Sequence, residues 1–177
     1  MAHTIAGAWT SIPVDRRKRA VIVFSAHGLP QKFSDEGDPY VAHIDMTRWG
    51  ILERLQIDNR QVLAYQSRTG PVKWLGPGTE ETLVELGRDG VRDVLVVPLS
   101  FVSDHIETLY EVDLLFADAA RKAGITGYYR PPALNTEPLF IHALAGLIER
   151  HLAADEPGAE VRSNETAVRG TPTGVLA

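Results

Sequence analysis

Apolar residues along this chain fall into two alternating patterns: short continuous runs, and longer stretches with helical spacing. Ala20-Val21-Ile22-Val23-Phe24 is a β-branched, nearly unbroken apolar run, the form taken by a strand buried on both faces of a parallel sheet. Ser25-Ala26-His27-Gly28-Leu29-Pro30 follows it, and its Gly and Pro predict a loop. Gly37-Asp38-Pro39-Tyr40 predicts a helix start, with Asp38 at the N-cap and Pro39 in the first helical position. Tyr40, Val41, Ile44, Ile51, Leu52 and Leu55 carry the helical spacing to about Gln56. A second strand is predicted at Gln61–Tyr65, then a long loop to Gly78. Thr79 is read as the cap of a short helix, with Glu80 and Glu81 in its first turn and Gly90 beyond its end. Asp93–Pro98 reads as the third strand. A longer helix runs from near Asp104 to about Ala123, stopped by Gly124. Ile125–Tyr129 is a weaker fourth strand, and a last amphipathic helix spans about Thr136 to Leu152. Strands alternating with helices predict an α/β fold, a four-stranded parallel sheet flanked by helices.

The ends of the chain read differently. Residues 1–15 are short and mixed, with Trp9 and Ile12 the larger apolar residues; they form a lead-in, either the end of a helix or a disordered segment. Arg16-Arg17-Lys18-Arg19 is read as a solvated corner. Beyond Leu152 the residues are mainly Glu, Gly, Thr, Ser and Pro with little to bury, which predicts a disordered tail over 153–177. The organisation is a lead-in, one domain over 16–152, and a tail. A length of 177 residues suits one domain.

Composition narrows the class of function. Hydrophobic residues at 44% and charged residues at 23% exclude a disordered protein, a collagen-like fibre and a coiled coil. The net charge of −5 argues against nucleic acid as a partner, because phosphate neutralisation needs a basic excess. The chain has no cysteine, which removes disulfides, Cys-type zinc sites and iron–sulfur clusters. No apolar run approaches the ~20 residues that span a bilayer, and Met1 opens no signal peptide. The expected setting is cytoplasmic.

Ligands of open parallel sheets gather at the carboxyl ends of the strands, and three loops leave from there: 25–30, 66–79 and 100–107. His27 follows the first strand. It reads equally as a proton acceptor or metal ligand through a neutral ring nitrogen, or as a histidine hydrogen-bonded to its own turn. Asp104, Glu107 and Glu111 stand at i, i+3 and i+7, so an α-helix puts them on one face. Such carboxylates suit a divalent metal or proton acceptance. On spacing alone the better account of the first two is a capping box, Asp104 at the N-cap and Glu107 at N3; Glu111 lies too far along for that. Gly76-Pro77-Gly78 matches no phosphate-loop pattern, and Glu80 and Glu81 oppose an anion there. Trp74 reads as core or as a flat wall for a planar ligand.

Taken together, Ser25–Pro30, Gly37–Tyr40, Tyr65-Gln66-Ser67-Arg68-Thr69-Gly70-Pro71, Trp74–Pro77 and Ser103-Asp104-His105-Ile106-Glu107-Thr108-Leu109-Tyr110-Glu111 resemble the C-terminal half of ferrochelatase. Asn135 with Pro138-Leu139-Phe140 fits the family's last helix, and the match runs in order from about Val21 to Leu152. The resemblance implies a single Rossmann-like, chelatase-type lobe, and insertion of Fe²⁺ into a porphyrin in haem biosynthesis. The motif histidine falls on His27 and the motif glutamate on Glu107, the pair implied in metal binding and pyrrole deprotonation. Tyr40 and Trp74 are expected to wall the porphyrin cleft, His105 to support Glu107, and Glu111 to extend an acidic track for protons or metal. The track ends early, because Leu114-Leu115 stand where the family commonly continues it. No organic cofactor and no iron–sulfur cluster are expected; Fe²⁺ is the substrate metal. The family's N-terminal lobe is missing from this sequence, which implies a homodimer, a separate N-terminal lobe as partner, or an inactive truncated product. Peripheral membrane contact is left open.

Overall fold

A computed structural model describes residues 1–154. Residues 1–135 form one compact unit and Thr136 opens a second, so the single domain expected over 16–152 is divided. The boundary falls at Asn135, which has a left-handed φ of 45°. In the first unit the elements are α1 (Ala2–Thr10), α2 (Val14–Arg17), β1 (Val21–His27), α3 (Gln31–Asp35), α4 (Tyr40–Leu55), β2 (Gln61–Gln66), α5 (Thr79–Arg88), β3 (Asp93–Pro98), a π-helix (Glu107–Phe116), α6 (Ala117–Lys122) and β4 (Gly127–Tyr129).

The four strands form one parallel sheet in the order β2-β1-β3-β4. β3 is buried along its whole length, and β1 as far as Ala26, which is why these segments read as unbroken apolar runs. Their side chains nevertheless alternate between two cores. Ile22, Phe24, Ala26, Leu95 and Val97 face one core, shared with Ile44, Ile51 and Leu52 of α4. Val21, Val23, Val94 and Val96 face the other, with Leu83 and Leu86 of α5, Val112 and Phe116 of the π-helix and Ala120 of α6. From β1 the chain crosses to β2 on one side and later to β3 on the other. The carboxyl ends of β1 and β3 are therefore the place where the loops diverge and leave a crevice.

Several boundaries differ from the pattern. The expected lead-in forms α1 and α2, and Ile5 and Ile12 are fully buried in the first core. Two apolar residues seven apart make a weak pattern, yet burial of each contributes about 1.5–3 kcal/mol. The helix expected from Pro39 begins at Tyr40, with Asp38 one step outside, its carboxylate accepting the Tyr40 N–H at 2.8 Å. Thr79 is inside α5 rather than its cap; Gly78 holds the cap position and Glu81 accepts the Gly78 N–H at 2.9 Å. The fourth strand starts at Gly127, because the Ile125 N–H turns back to the Ala120 carbonyl and closes α6.

In the second unit, α7 spans Pro138–Ala154, so Ala153 and Ala154 of the expected tail are helical. The rest of that tail, from residue 155, lies outside the described residues.

Candidate active site

The crevice between β1 and β3 is built around His27, the last residue of β1. Its backbone is held at both ends: the N–H donates to Ser100 Oγ at 2.9 Å, and the carbonyl accepts the Tyr40 hydroxyl at 3.0 Å. Tyr40 Oη and Ser100 Oγ lie 2.7 Å apart. Burial pushes the Tyr40 phenol up, against the pull of its bonds to Ser100 and His27, so it stays a donor at neutral pH. Tyr40, expected as a cleft wall, has its polar end occupied in fixing the His27 main chain.

His27 Nδ1 lies 2.7 Å from the Gly28 carbonyl. A carbonyl only accepts, so this nitrogen carries a proton and Nε2 presents the lone pair of the neutral ring. Nε2 in turn lies 3.6 Å from Glu107 Oε2, with the two side chains 43% and 39% exposed. The bond of His27 to its own turn is thus made at Nδ1, and Nε2 is left facing Glu107. Gly28 is required where it stands: a Cβ would come within 2.8 Å of the Gln66 carbonyl and 3.3 Å of Trp74 Cε3.

Glu107 opens the π-helix, and its carboxylate also accepts the Ser67 hydroxyl at 3.3 Å. The same hydroxyl reaches Glu111 Oε2 at 2.7 Å, and Gln66 Nε2 reaches that oxygen at 3.2 Å. Behind them is a buried chain: Ser25 Oγ donates to Gln66 Oε1 at 2.7 Å and lies 2.8 Å from Thr79 Oγ1. Since Oε1 accepts from Ser25, the Gln66 amide must aim its NH₂ at Glu111. A cavity of about 150 Å³ opens beside Ser67, Arg68, Thr79, Glu80 and Glu111.

The capping box read at Asp104 and Glu107 does not form. The Asp104 carboxylate is bound by Arg130 Nη1 at 2.9 Å and Asn135 Nδ2 at 3.0 Å. The turn is closed by its neighbours instead: the His105 N–H donates to Thr108 Oγ1 at 2.8 Å, and the Glu107 N–H to His105 Nδ1 at 3.3 Å. The His105 ring thus meets the main chain of Glu107 and not its carboxylate, and it also packs on Phe101 at 4.7 Å. Phe101 also meets the His27 ring edge-on at 5.9 Å. Trp74 lies under the 27–30 loop, bridged to Pro30, with its indole Nε1 buried and unpartnered among the described residues.

The structure thus brings His27, Glu107, Glu111, Tyr40 and His105 to one edge of the sheet, and takes Asp104 away to Arg130. Sequence reasoning gave no role to Ser67, Gln66, Ser100 or Phe101. Ser67 and Ser100 were findable as polar residues just past the carboxyl ends of β2 and β3. Among the described residues no three His, Asp or Glu side chains come together as a metal cluster, and no helix is long and apolar enough to cross a membrane.

The family model described as ferrochelatase matches residues 1–152. The ferrochelatase of Geotalea uraniireducens is 52% identical over 139 residues, 78% of this chain and 43% of that protein. The ferrochelatase of Rippkaea orientalis is 55% identical over 135 residues, 76% of this chain and 35% of that one. The chain therefore spans roughly two-fifths or less of the curated relatives it matches. A solved structure from Marinobacter aquaeolei, titled as a cobalamin (vitamin B12) biosynthesis CbiX protein, superposes with a TM-score of 0.54 at 16% identity. That match covers 76% of this chain and 98% of that one, a likeness of fold.

Proposed function

The chain belongs to the ferrochelatase family, and from that premise we propose that it is a metal chelatase, a lyase inserting Fe²⁺ into a porphyrin in haem biosynthesis. The observation that carries this reading is the His27 Nε2–Glu107 Oε2 pair, 3.6 Å apart at the crevice between β1 and β3. Insertion exchanges two pyrrole N–H protons for one divalent ion, so the site needs a proton acceptor and a metal ligand side by side. Glu107 accepts protons released by the macrocycle; His27 Nε2, kept as a lone pair by the Nδ1 bond to Gly28, steers the ion. Ser67 bridges Glu107 to Glu111, a path by which protons leave or metal enters. Trp74 and Tyr40 flank the cleft, and His105 fixes the start of the helix that bears Glu107. The chemistry needs no organic cofactor and no iron–sulfur cluster.

The rest of the porphyrin cleft comes from a second copy of this chain or from a separate lobe. In support, the match covers less than half of each curated relative, whereas it covers 98% of the solved chain that shares this fold. We place the protein in the cytoplasm, with any membrane contact peripheral. The short span of the match also favours a second reading, a module that holds porphyrin or metal without turnover.

Mixing the purified chain anaerobically with a dicarboxylate porphyrin and Zn²⁺, and following metalloporphyrin absorbance against a no-protein control, separates the two. Turnover is the expected result. Porphyrin binding by a folded chain without turnover would point to a separate lobe, and lack of turnover with that lobe supplied would replace the enzyme reading with the binding module.

A further inference from the structure

We propose that Tyr128 and Arg130, at the end of the edge strand β4, are positioning residues that hold Glu107–Phe116 in π-helical register and thereby set where Glu107 and Glu111 stand. For its effect on turnover this rests on the chelatase reading; for the register it does not.

An i→i+5 helix is rare and is normally confined to a single turn. Ten residues in this form need external support. The sequence already carries a repeat suited to it. The buried residues of the helix are Thr108, Val112 and Phe116, each four apart, and the carboxylates Glu107 and Glu111 share that step. In an α-helix at 3.6 residues per turn, a four-residue step drifts about 40° around the axis each time. A wider helix holds both stripes straighter, so that one stays in the core while the other stays on Ser67.

Tyr128 of β4 and Arg130 just past it supply that support. Tyr128 Oη donates to the Val112 carbonyl at 2.6 Å, an added partner for a carbonyl in the middle of the helix. Burial pushes the Tyr128 phenol far up, reinforced by Asp113 and opposed by Arg130, so the donor is never lost near neutral pH. Arg130, with a side chain only 15% exposed, grips Asp113 through Nε at 2.5 Å and Nη2 at 2.8 Å, and Asp104 through Nη1 at 2.9 Å. One guanidinium thus ties the residue three before the helix to one past its midpoint. The distance between Asp104 and Asp113 depends on the pitch and radius of what lies between them, and Arg130's planar fork fixes it. No hydrogen bond or ion pair of Tyr128 or Arg130 reaches His27 or Glu107, so both act through the helix.

The test reads the register directly. In the full chain labelled with ²H, ¹³C and ¹⁵N, through-hydrogen-bond NMR couplings identify which carbonyl each amide bonds. Wild type is expected to show i→i+5 pairs; Y128F, R130K and the double variant Y128F/R130Q are expected to move pairs near Val112 to i→i+4. An unchanged register in folded variants, or an i→i+4 helix in the wild type, overturns the proposal. Y128F and R130K each keep the bulk of the side chain, so they decide the matter if the double variant does not fold. In zinc insertion, the kcat of the shifted variants should fall about tenfold or more with little change in porphyrin KM, the cost of a misplaced group. A shifted register with an unchanged rate overturns the positioning role. A wild type that shows the π register but no insertion, even with the separate lobe supplied, refutes the chelatase reading alone.

Discussion

The two ends of the sheet differ in a way that volume alone would misreport. A cavity of about 460 Å³ lies at the amino end and is lined by Arg16, Arg19, Asp89, Arg92, Asp93 and Thr126 among others. Two of its charges, Arg16 and Asp93, are occupied with each other. Arg16 meets the Asp93 carboxylate at 2.7 and 2.9 Å and Thr126 Oγ1 at 2.9 Å, and the Asp93 side chain is 5% exposed. Arg92 Nη1 donates to the Gly124 carbonyl just past α6. At the carboxyl end there is less enclosed space, but His27 Nε2 and the Glu107 carboxylate face each other half-exposed, on backbones held rigid by Ser100, Tyr40 and His105. The carboxyl end leaves a ring lone pair and a carboxylate half-exposed on a fixed frame, while at the amino end Arg16 and Arg92 bind the protein's own groups.

The sharpest way to break that contrast is to mutate both ends and compare. H27A and E107Q should each lower zinc insertion by about 10²–10⁴-fold, the range for losing a positioned proton-transfer group. R19A, in the amino-end cavity, should leave the rate at the wild-type value; an R19A defect of comparable size would reverse the assignment of the two ends. A smaller effect is expected from R16A, which strands the buried Asp93 carboxylate and should cost roughly 1–3 kcal/mol in urea unfolding. Its insertion rate, measured well below the melting transition, should be unchanged.

The mildest effect separates support from chemistry within the carboxyl end itself. Burial pulls the Asp104 carboxyl up, but Asn135 and Arg130 outweigh it and hold it below the usual carboxylate range. A carboxyl depressed in the folded state contributes stability above its unfolded pKa, and that contribution is lost as pH falls through the folded value. D104N should therefore melt below wild type at pH 7, and the gap should begin to narrow as pH falls below about 4, the ordinary Asp value, and close below the folded value. A gap that does not narrow as pH falls from about 4 would assign the difference to packing instead of charge.

What could be read from the sequence follows from what each residue buries. β1 and β3 are legible because both faces are covered, so Val21–Phe24 and Val94–Val97 are continuous apolar runs. β2 ends in Gln66, a polar residue buried to 2%, which reads as loop until Ser25, 41 positions earlier, is seen to satisfy it. Ile5 and Ile12 are too sparse to announce α1. The reading of Asp104, Glu107 and Glu111 assumed α-helical spacing and so paired the wrong residues; the four-residue step of Thr108, Val112 and Phe116 was the available signal. His27 and Glu107 were placed by resemblance, since position alone left His27 undecided. Gln66 and Ser67 needed the tertiary structure, because they matter only through partners on other elements.

The bond from His27 Nδ1 to Gly28 has a last consequence for traffic through the crevice. With one ring nitrogen committed, this edge offers an arriving cation a single imidazole nitrogen and the neighbouring carboxylate, short of the three or four protein ligands with which resident metals are kept. On the proposed chelatase reading, an ion held by that pair would keep most of its water shell and exchange with the surrounding pool, and the four nitrogens of a macrocycle would outbid two side chains whenever they are presented.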